Sequence, residues 1–182
     1  MPPRPKVNKE KIIDASMKII KNEGLNFLNA RNIAKYLLCS TQPIFSIYEN
    51  MDELKKDIYK AVVKYYRQFV EKYIDKSDYL FTMSLAYEEF ARLEKKFFEV
   101  MYMSKLQRNR TFEEVINSSW NRKTIEATTK QYNVSLKEAE NLYRNVRFFT
   151  HGLATQIYSE SIDIPKKEVE KLIRNAIEKF LN

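Results

Sequence analysis

Apolar residues recur every three or four positions along most of this chain, which is the spacing of one buried face on an α-helix. Residues 9–22, 52–74, 135–157 and 165–181 each carry such a stripe. No segment shows the strict alternation of apolar and polar residues that a half-buried strand requires. The pattern therefore predicts an all-α protein.

Two short helices are predicted between the first stripe and the second. Gly24 follows the first stripe where a left-handed helix C-cap is needed, and Asn29 is a candidate N-cap for the next helix. Ser40 is the predicted cap of a third helix, and Pro43 falls in its first turn. This spacing over about residues 29–48 fits a helix-turn-helix. Three short helices that merely close the end of a bundle remain the alternative.

The C-terminal part is also predicted to be helical, with a joint at residues 76–78. A long helix is expected to continue from there through Met101, and helical patterns resume over residues 111–131. Ser135 opens a capping box, and Pro165 begins the last helix. A chain of this length cannot easily cover the wide apolar stripes of its last two helices, so we expect homodimerisation through a four-helix bundle. The predicted interface residues are Leu142, Val146, Phe149, Leu153, Leu172, Ile173, Ala176 and Phe180.

Composition narrows the function classes. The chain of 182 residues has only two glycines, so it has no Gly-rich phosphate loop, and its single cysteine and single histidine give no cysteine cage or histidine-based metal site. We expect no cofactor and no catalytic group. We also expect a cytoplasmic location without membrane attachment, because no apolar stretch approaches 18 residues. The net charge is +8, and it is denser in residues 1–75, where 14 Lys and Arg oppose 9 Asp and Glu. Such an excess suits a phosphate backbone, although a generally basic surface would have the same composition.

If the helix-turn-helix is real, its second helix lies in the major groove of DNA. The predicted base-reading residues are Thr41, Gln42, Pro43, Ser46 and Ile47. Gln42 is the strongest of them because an amide can pair bidentately with adenine. Ile44 and Phe45 are large and apolar, so at least one should anchor the helix to the core.

These residues resemble a known signature. The segments in question are Ile33-Ala34-Lys35, Ser40, Ile44-Phe45 and Tyr48-Glu49-Asn50, continuing to Leu54. Together they resemble the TetR/AcrR family of bacterial transcriptional regulators, and residues 148–154 resemble a motif of one C-terminal subclass. The resemblance implies a DNA-binding domain over residues 6–66 and an effector-binding and dimerisation domain over residues 76–182. It also implies a homodimeric repressor that an unidentified small ligand releases from a palindromic operator.

Several positions depart from the family pattern. Leu38 stands where the family has a turn glycine, and Phe45 replaces a tyrosine that donates a hydrogen bond to phosphate. Ile47 replaces an aromatic residue or histidine, and Met51 replaces a lysine. Phosphate contacts then fall to Lys55, Lys56 and the start of the fourth helix, with Arg4, Lys6, Lys9 and Arg31 as compensating cations. The full predicted DNA-binding set is Arg31, Ser40, Thr41, Gln42, Pro43, Ser46, Ile47, Tyr48 and Lys55.

Aromatic residues, at 13% of the chain, suggest an apolar effector pocket in the C-terminal part. The predicted lining residues are Tyr87, Phe90, Phe98, Tyr102, Trp120, Phe148 and His151. The alternative for each is an ordinary core position. Because buried charge looks scarce in the pattern, we expect a largely apolar effector. Two other functions stay open: a regulator of the same fold without an effector, and a basic protein that touches RNA or membranes.

Overall fold

The computed structural model describes residues 7–106 and 111–182, and within those ranges it contains helices and no strand. The α-helices are α1 Lys9–Glu23, α2 Ala30–Tyr36, α3 Gln42–Phe45, α4 Met51–Glu71, α5 Tyr79–Leu93, α6 Lys95–Phe98, α7 Phe112–Ile116, α8 Ser119–Tyr132, α9 Leu136–Tyr158 and α10 Lys166–Leu181. Short 3₁₀ helices span Leu25–Phe27 and Lys76–Asp78, and a π-helical turn spans Glu99–Met103. The all-α prediction is confirmed. None of the described helices is long and apolar enough to cross a membrane.

Local sequence sets several helix ends as predicted. Asn29 Oδ1 accepts a hydrogen bond from the N–H of Asn32 at 2.9 Å, which caps α2. Gly24 adopts a φ of 100° at the end of α1, a conformation that costs glycine little. Ser135 and Glu138 form the reciprocal capping box at the start of α9, and Pro165 precedes α10.

One predicted continuous helix is broken in the structure, and the helical segment after it divides in two. The helix expected to run through Met101 ends at Leu93, because Glu94 leaves helical geometry with φ −118° and ψ 45°. The pattern over residues 111–131 divides into α7 and α8, and Ser118 caps the second by accepting from the N–H of Asn121. Neither break contains proline or glycine, and Ser118, a residue type common at helix N-caps, is the local signal of the second.

The described residues form two compact units. The first consists of residues 7–65 and 96–106, and its core is made by apolar faces of α1, α2 and α4. In this unit the ring of Phe97 packs 5.0 Å from that of Tyr65, and Lys96 Nζ donates a hydrogen bond to the carbonyl of Asn22.

The second unit consists of residues 66–95 and 111–182. Helix α5 packs against α8, α9 and α10, and nearly every residue from Leu80 to Ala91 is buried. Polar bonds fasten one end of this bundle: Asp78 accepts from Arg174 at 2.8 Å and from Gln131 at 2.9 Å. The Arg174 guanidinium also lies 3.5 Å from the ring centre of Phe81.

Candidate nucleic-acid interface

The turn between α2 and α3 is a Schellman motif with an unusual residue in it. The N–H of Cys39 bonds to the carbonyl of Ala34 at 3.0 Å, and the N–H of Leu38 bonds to that of Lys35 at 3.2 Å. Leu38 has a φ of 52°, the left-handed conformation that glycine usually supplies at this position. Its side chain is 86% exposed, so no packing in the described chain compensates for the backbone. The turn therefore reaches helix-turn-helix geometry without its customary glycine.

Helix α3 is held by one apolar side chain and presents the others. Ile44 is completely buried, which confirms that one of the two large apolar residues anchors the helix. The exposed residues form a surface that we call the α3 face: Gln42, Phe45, Ser46 and Ile47. Of the predicted base-reading residues, Thr41 and Pro43 are half-buried beside it. The Ser46 hydroxyl donates to the carbonyl of Gln42 at 2.9 Å.

Two predictions around α3 are wrong. The N-cap of α3 is Thr41, which makes no side-chain capping bond, and Ser40 is an exposed residue of the preceding turn. Tyr48 does not lie on the α3 face, because it is only 1% exposed. Burial, together with the neighbouring Asp57 carboxylate, raises the pKa of Tyr48 to about 12. This tyrosine belongs to the core of the first unit and cannot reach a ligand on the surface.

The start of α4 is not an open anion site. Asn50 Oδ1 accepts from the N–H groups of Asp52 and Glu53, both at 3.0 Å, and the Glu53 carboxylate accepts from the N–H of Glu49 at 2.8 Å. The N–H groups of Asp52 and Glu53 are thus already bonded, and the two carboxylates in this turn repel a phosphate. Lys55 lies 3.3 Å from the Asp52 carboxylate. These bonds do not favour the expected phosphate contact at this helix terminus, which stays a prediction.

The other predicted cations differ in what surrounds them. Arg31 is exposed on the first turn of α2. Lys9 pairs with Asp57 at 2.6 Å, and Lys9 and Lys60 together lower the pKa of that carboxyl. Arg4 and Lys6 lie outside the described residues.

The predicted effector-pocket residues are divided between the two units. Phe98 and Tyr102 belong to the first unit, where their rings are 5.0 Å apart, and the other five belong to the second. Within the second unit the Tyr87 hydroxyl is 2.7 Å from His151 Nδ1, and Phe90 is fully buried. Phe148 is 60% exposed, so its ring does not line an interior pocket. Trp120 is half-buried, with the Arg67 guanidinium 5.5 Å from its ring centre.

The second unit buries charge that the sequence reading missed. Glu88 and Glu89 are both buried in α5. Arg92 donates two hydrogen bonds to Glu88, at 2.7 and 2.9 Å, and a third to the carbonyl of Ile164 at 3.0 Å. Lys166 pairs with Glu89 at 2.5 Å. Burial raises the pKa of Glu88 against the opposing effect of Arg92. The i, i+4 spacing of Glu88 and Arg92 within an apolar stripe was the available signal.

The predicted dimer residues divide by burial. Leu142, Val146, Ile173 and Ala176 are buried inside their own chain, so they cannot meet a partner subunit. The remaining members are half-buried or exposed: Phe149, Leu153, Leu172 and Phe180. The helical stripes were identified correctly, but the neighbouring helices of the same chain cover their central residues.

Comparisons with known proteins place the fold. No family model matches the sequence, and no curated protein matches it. Among solved structures, a TetR-family member from Streptomyces coelicolor superposes with a TM-score of 0.59 at 13% identity, covering 92% of this chain and 96% of its own. A transcriptional regulator from a Rhodococcus species gives 0.56 at 16% identity, covering 96% of each chain. A TetR variant from Acinetobacter baumannii, in complex with minocycline, gives 0.55 at 16% identity, covering 96% of this chain and 93% of its own. The chain has the all-helical fold of TetR-family transcriptional regulators.

Proposed function

We propose that the protein is a sequence-specific DNA-binding transcriptional regulator. The observation that carries the proposal is the α3 face, which exposes Gln42, Phe45, Ser46 and Ile47 around a buried Ile44 anchor. A short helix presented in this way after a tight turn is the element that helix-turn-helix proteins insert into the major groove. The exposed Arg31 and the net charge of +8 supply the sequence-independent attraction to phosphates.

Selection from a random duplex pool, followed by footprinting, tests this function. A dimeric reader protects two half-sites about one helical turn apart or a multiple of it. Gln42→Ala should weaken binding to the selected site by about 1–3 kcal/mol and leave non-specific binding unchanged, because a base contact carries the sequence information. Arg31→Ala should weaken both and flatten the salt slope by about one unit. Gln68→Ala, an exposed glutamine of α4, is the matched control. Unchanged site affinity in Gln42→Ala would remove Gln42 from the reading residues.

We also propose homodimerisation through α9 and α10. Supporting residues on these helices are half-buried or exposed in the single chain: Phe148, Phe149, Leu153, Leu172 and Phe180. Phe149 and Phe180 already approach each other edge to face, with ring centres 6.5 Å apart. Gly152 is exposed on α9, three residues after Phe149, with open space where a Cβ would stand. Such a surface fits the same two helices of a second copy in a four-helix bundle.

The finer part of the proposal is release of the operator by a small molecule. The Acinetobacter protein, which shares the fold, holds minocycline, and a similar response here would place an effector in the second unit. The expectation of a largely apolar effector rested on aromatic content and on scarce buried charge. The buried Glu88 and Glu89 and the polar Tyr87–His151 pair remove the second of these reasons. A hundredfold loss of operator affinity requires about 2.7 kcal/mol of coupling, and operator DNA must weaken ligand binding by the same factor.

Fluorescence of Trp120 offers the direct screen, because compounds that bind the second unit can change its emission while operator release is followed in parallel. Compounds that bind and release DNA support the switch. Saturating compounds that leave operator affinity unchanged favour the regulator without an effector. The observation that favours this second candidate, a regulator without an effector, is that the predicted pocket residues are divided between the two units.

A further inference from the structure

The α3 face has no charged side chain. Residues 40–48 contain neither Lys and Arg nor Asp and Glu. Two of the four side chains on the face are large and apolar: Phe45 is 47% exposed and Ile47 is 36% exposed. Gln42, Phe45 and Ser46 stand at i, i+3 and i+4, so they share one side of the helical turn, away from the buried Ile44. Leu38, also exposed, adds a further apolar side chain in the preceding turn.

The chemistry of this face selects among base pairs. Guanine is read in the major groove mainly by Arg or Lys, and cytosine by a carboxylate that accepts from its amino group. Neither residue type is present on the face. Adenine is read by Gln or Asn, and thymine presents a C5-methyl group that only an apolar side chain contacts favourably. Ser46, the remaining polar group, already donates its proton to the Gln42 carbonyl.

Glu49 follows Tyr48 and lies outside the α3 face, and the next two carboxylates in the sequence are engaged elsewhere. Asp52 faces Lys55 at 3.3 Å, and Glu53 accepts from the backbone of Glu49 at the start of α4. What α3 offers to base edges is therefore one amide and two apolar side chains. We infer that the protein recognises A·T-rich half-sites, with Phe45 and Ile47 contacting thymine methyl groups and Gln42 contacting adenine. This inference rests on the proposed function and specifies the ligand of the same site.

Replacement of thymine by deoxyuridine tests it directly, because the exchange removes only the C5-methyl group. The full-length protein is first used to select a site from random duplexes. Each thymine of the selected half-site is then replaced in turn, and affinity is measured at fixed salt. Burial of one methyl group predicts a loss of about fourfold at each contacted thymine and none at the others.

Variants assign the methyl contact to a side chain. Phe45→Ala should abolish the deoxyuridine penalty at its own thymine, because the side chain that contacts the methyl group is gone. Tyr36→Ala is the matched control, since Tyr36 is an aromatic residue of α2 with 48% exposure, and it should retain the full penalty.

The outcomes separate the two claims. Selection of a specific palindrome whose half-sites are G·C-rich, or equal penalties in Phe45→Ala and Tyr36→Ala, overturns the inference and leaves the proposed function intact. Failure to enrich any sequence refutes the proposed function itself. Enrichment of A·T-rich half-sites with a penalty that depends on Phe45 supports both.

Discussion

The turn residue Leu38 provides the sharpest stability prediction. Its φ of 52° places a residue that carries a Cβ in the left-handed region, and its side chain is almost wholly in solvent. Replacement by glycine keeps both Schellman hydrogen bonds, which use only backbone atoms. Leu38→Gly should therefore stabilise the protein, although glycine normally weakens a fold.

Two opposing quantities set the size of the effect. A left-handed conformation costs an L-residue about 1–2 kcal/mol. Glycine gives back about 0.5–1 kcal/mol through the larger conformational freedom of the unfolded chain. No buried surface is lost, because the leucine is exposed. The free energy of unfolding should rise by about 0.5–1 kcal/mol, which corresponds to a Tm increase of roughly 1–4 °C for a chain of this size.

Urea unfolding followed by circular dichroism measures the change, with the m-value checked for constancy. Leu38→Ala is the matched control, since it removes the same side chain but keeps the Cβ, and it should stay close to wild type. Leu38→Asn should fall between alanine and glycine, because asparagine tolerates this conformation better. Gly24→Ala should destabilise, because its φ of 100° disfavours any side chain. If Leu38→Gly is no more stable than Leu38→Ala, the left-handed turn is wrong.

Three further predictions concern the second unit. Burial, assisted by Arg147, lowers the pKa of His151 below its ordinary 6.5. Just below pH 6.5, His151 is therefore protonated in the unfolded chain and still neutral in the folded protein. The free energy of unfolding should therefore fall as the pH drops from 6.5 to the lower folded pKa, and His151→Gln should flatten that part of the profile in urea titrations. Arg92→Met should destabilise by about 3 kcal/mol at neutral pH, because it leaves the Glu88 carboxylate buried without its partner. Since burial raises the pKa of Glu88, that loss should shrink in acid, and a pH-independent loss would contradict an ionised partner. Phe148→Glu should give monomers in sedimentation at micromolar concentration. The control Leu93→Glu should remain dimeric, since Leu93 lies on α5 and is 57% exposed, close to the 60% of Phe148. Identical behaviour of the two variants would remove α9 from the interface.

Helix class and several helix ends were predictable from sequence alone. Asn29 and Ser135 cap helices through bonds to backbone groups three positions away, and Gly24 ends α1 through its own backbone conformation. These events depend on residues adjacent in the chain, so the sequence contains all the information they need. The turn at Leu38 differs, because only the resemblance to a family with glycine at that position indicated an unusual backbone there.

Tertiary packing decided which face of each helix is covered by a neighbouring helix and which face stays exposed. A periodic stripe marks an apolar face but does not say which neighbour covers it, so Leu142 and Ile173 are core residues of a single chain, whereas Phe148 is exposed. Phe45 was recognised as large and apolar, yet only the burial of Ile44 showed which of the two residues faces outward.

The long-range partners of the buried charges could not be predicted from the sequence, although the spacing of Glu88 and Arg92 hinted at one local pair. The pairing of Lys166 with Glu89 joins residues far apart in sequence, and the bond from Arg92 to the carbonyl of Ile164 does the same. A buried carboxylate persists only where such partners converge. The sequence by itself thus determined the helical class and several of the caps, because those depend on local backbone chemistry. The exposed face of α3 and the buried ions of α5 were decided by contacts that exist only in the folded chain.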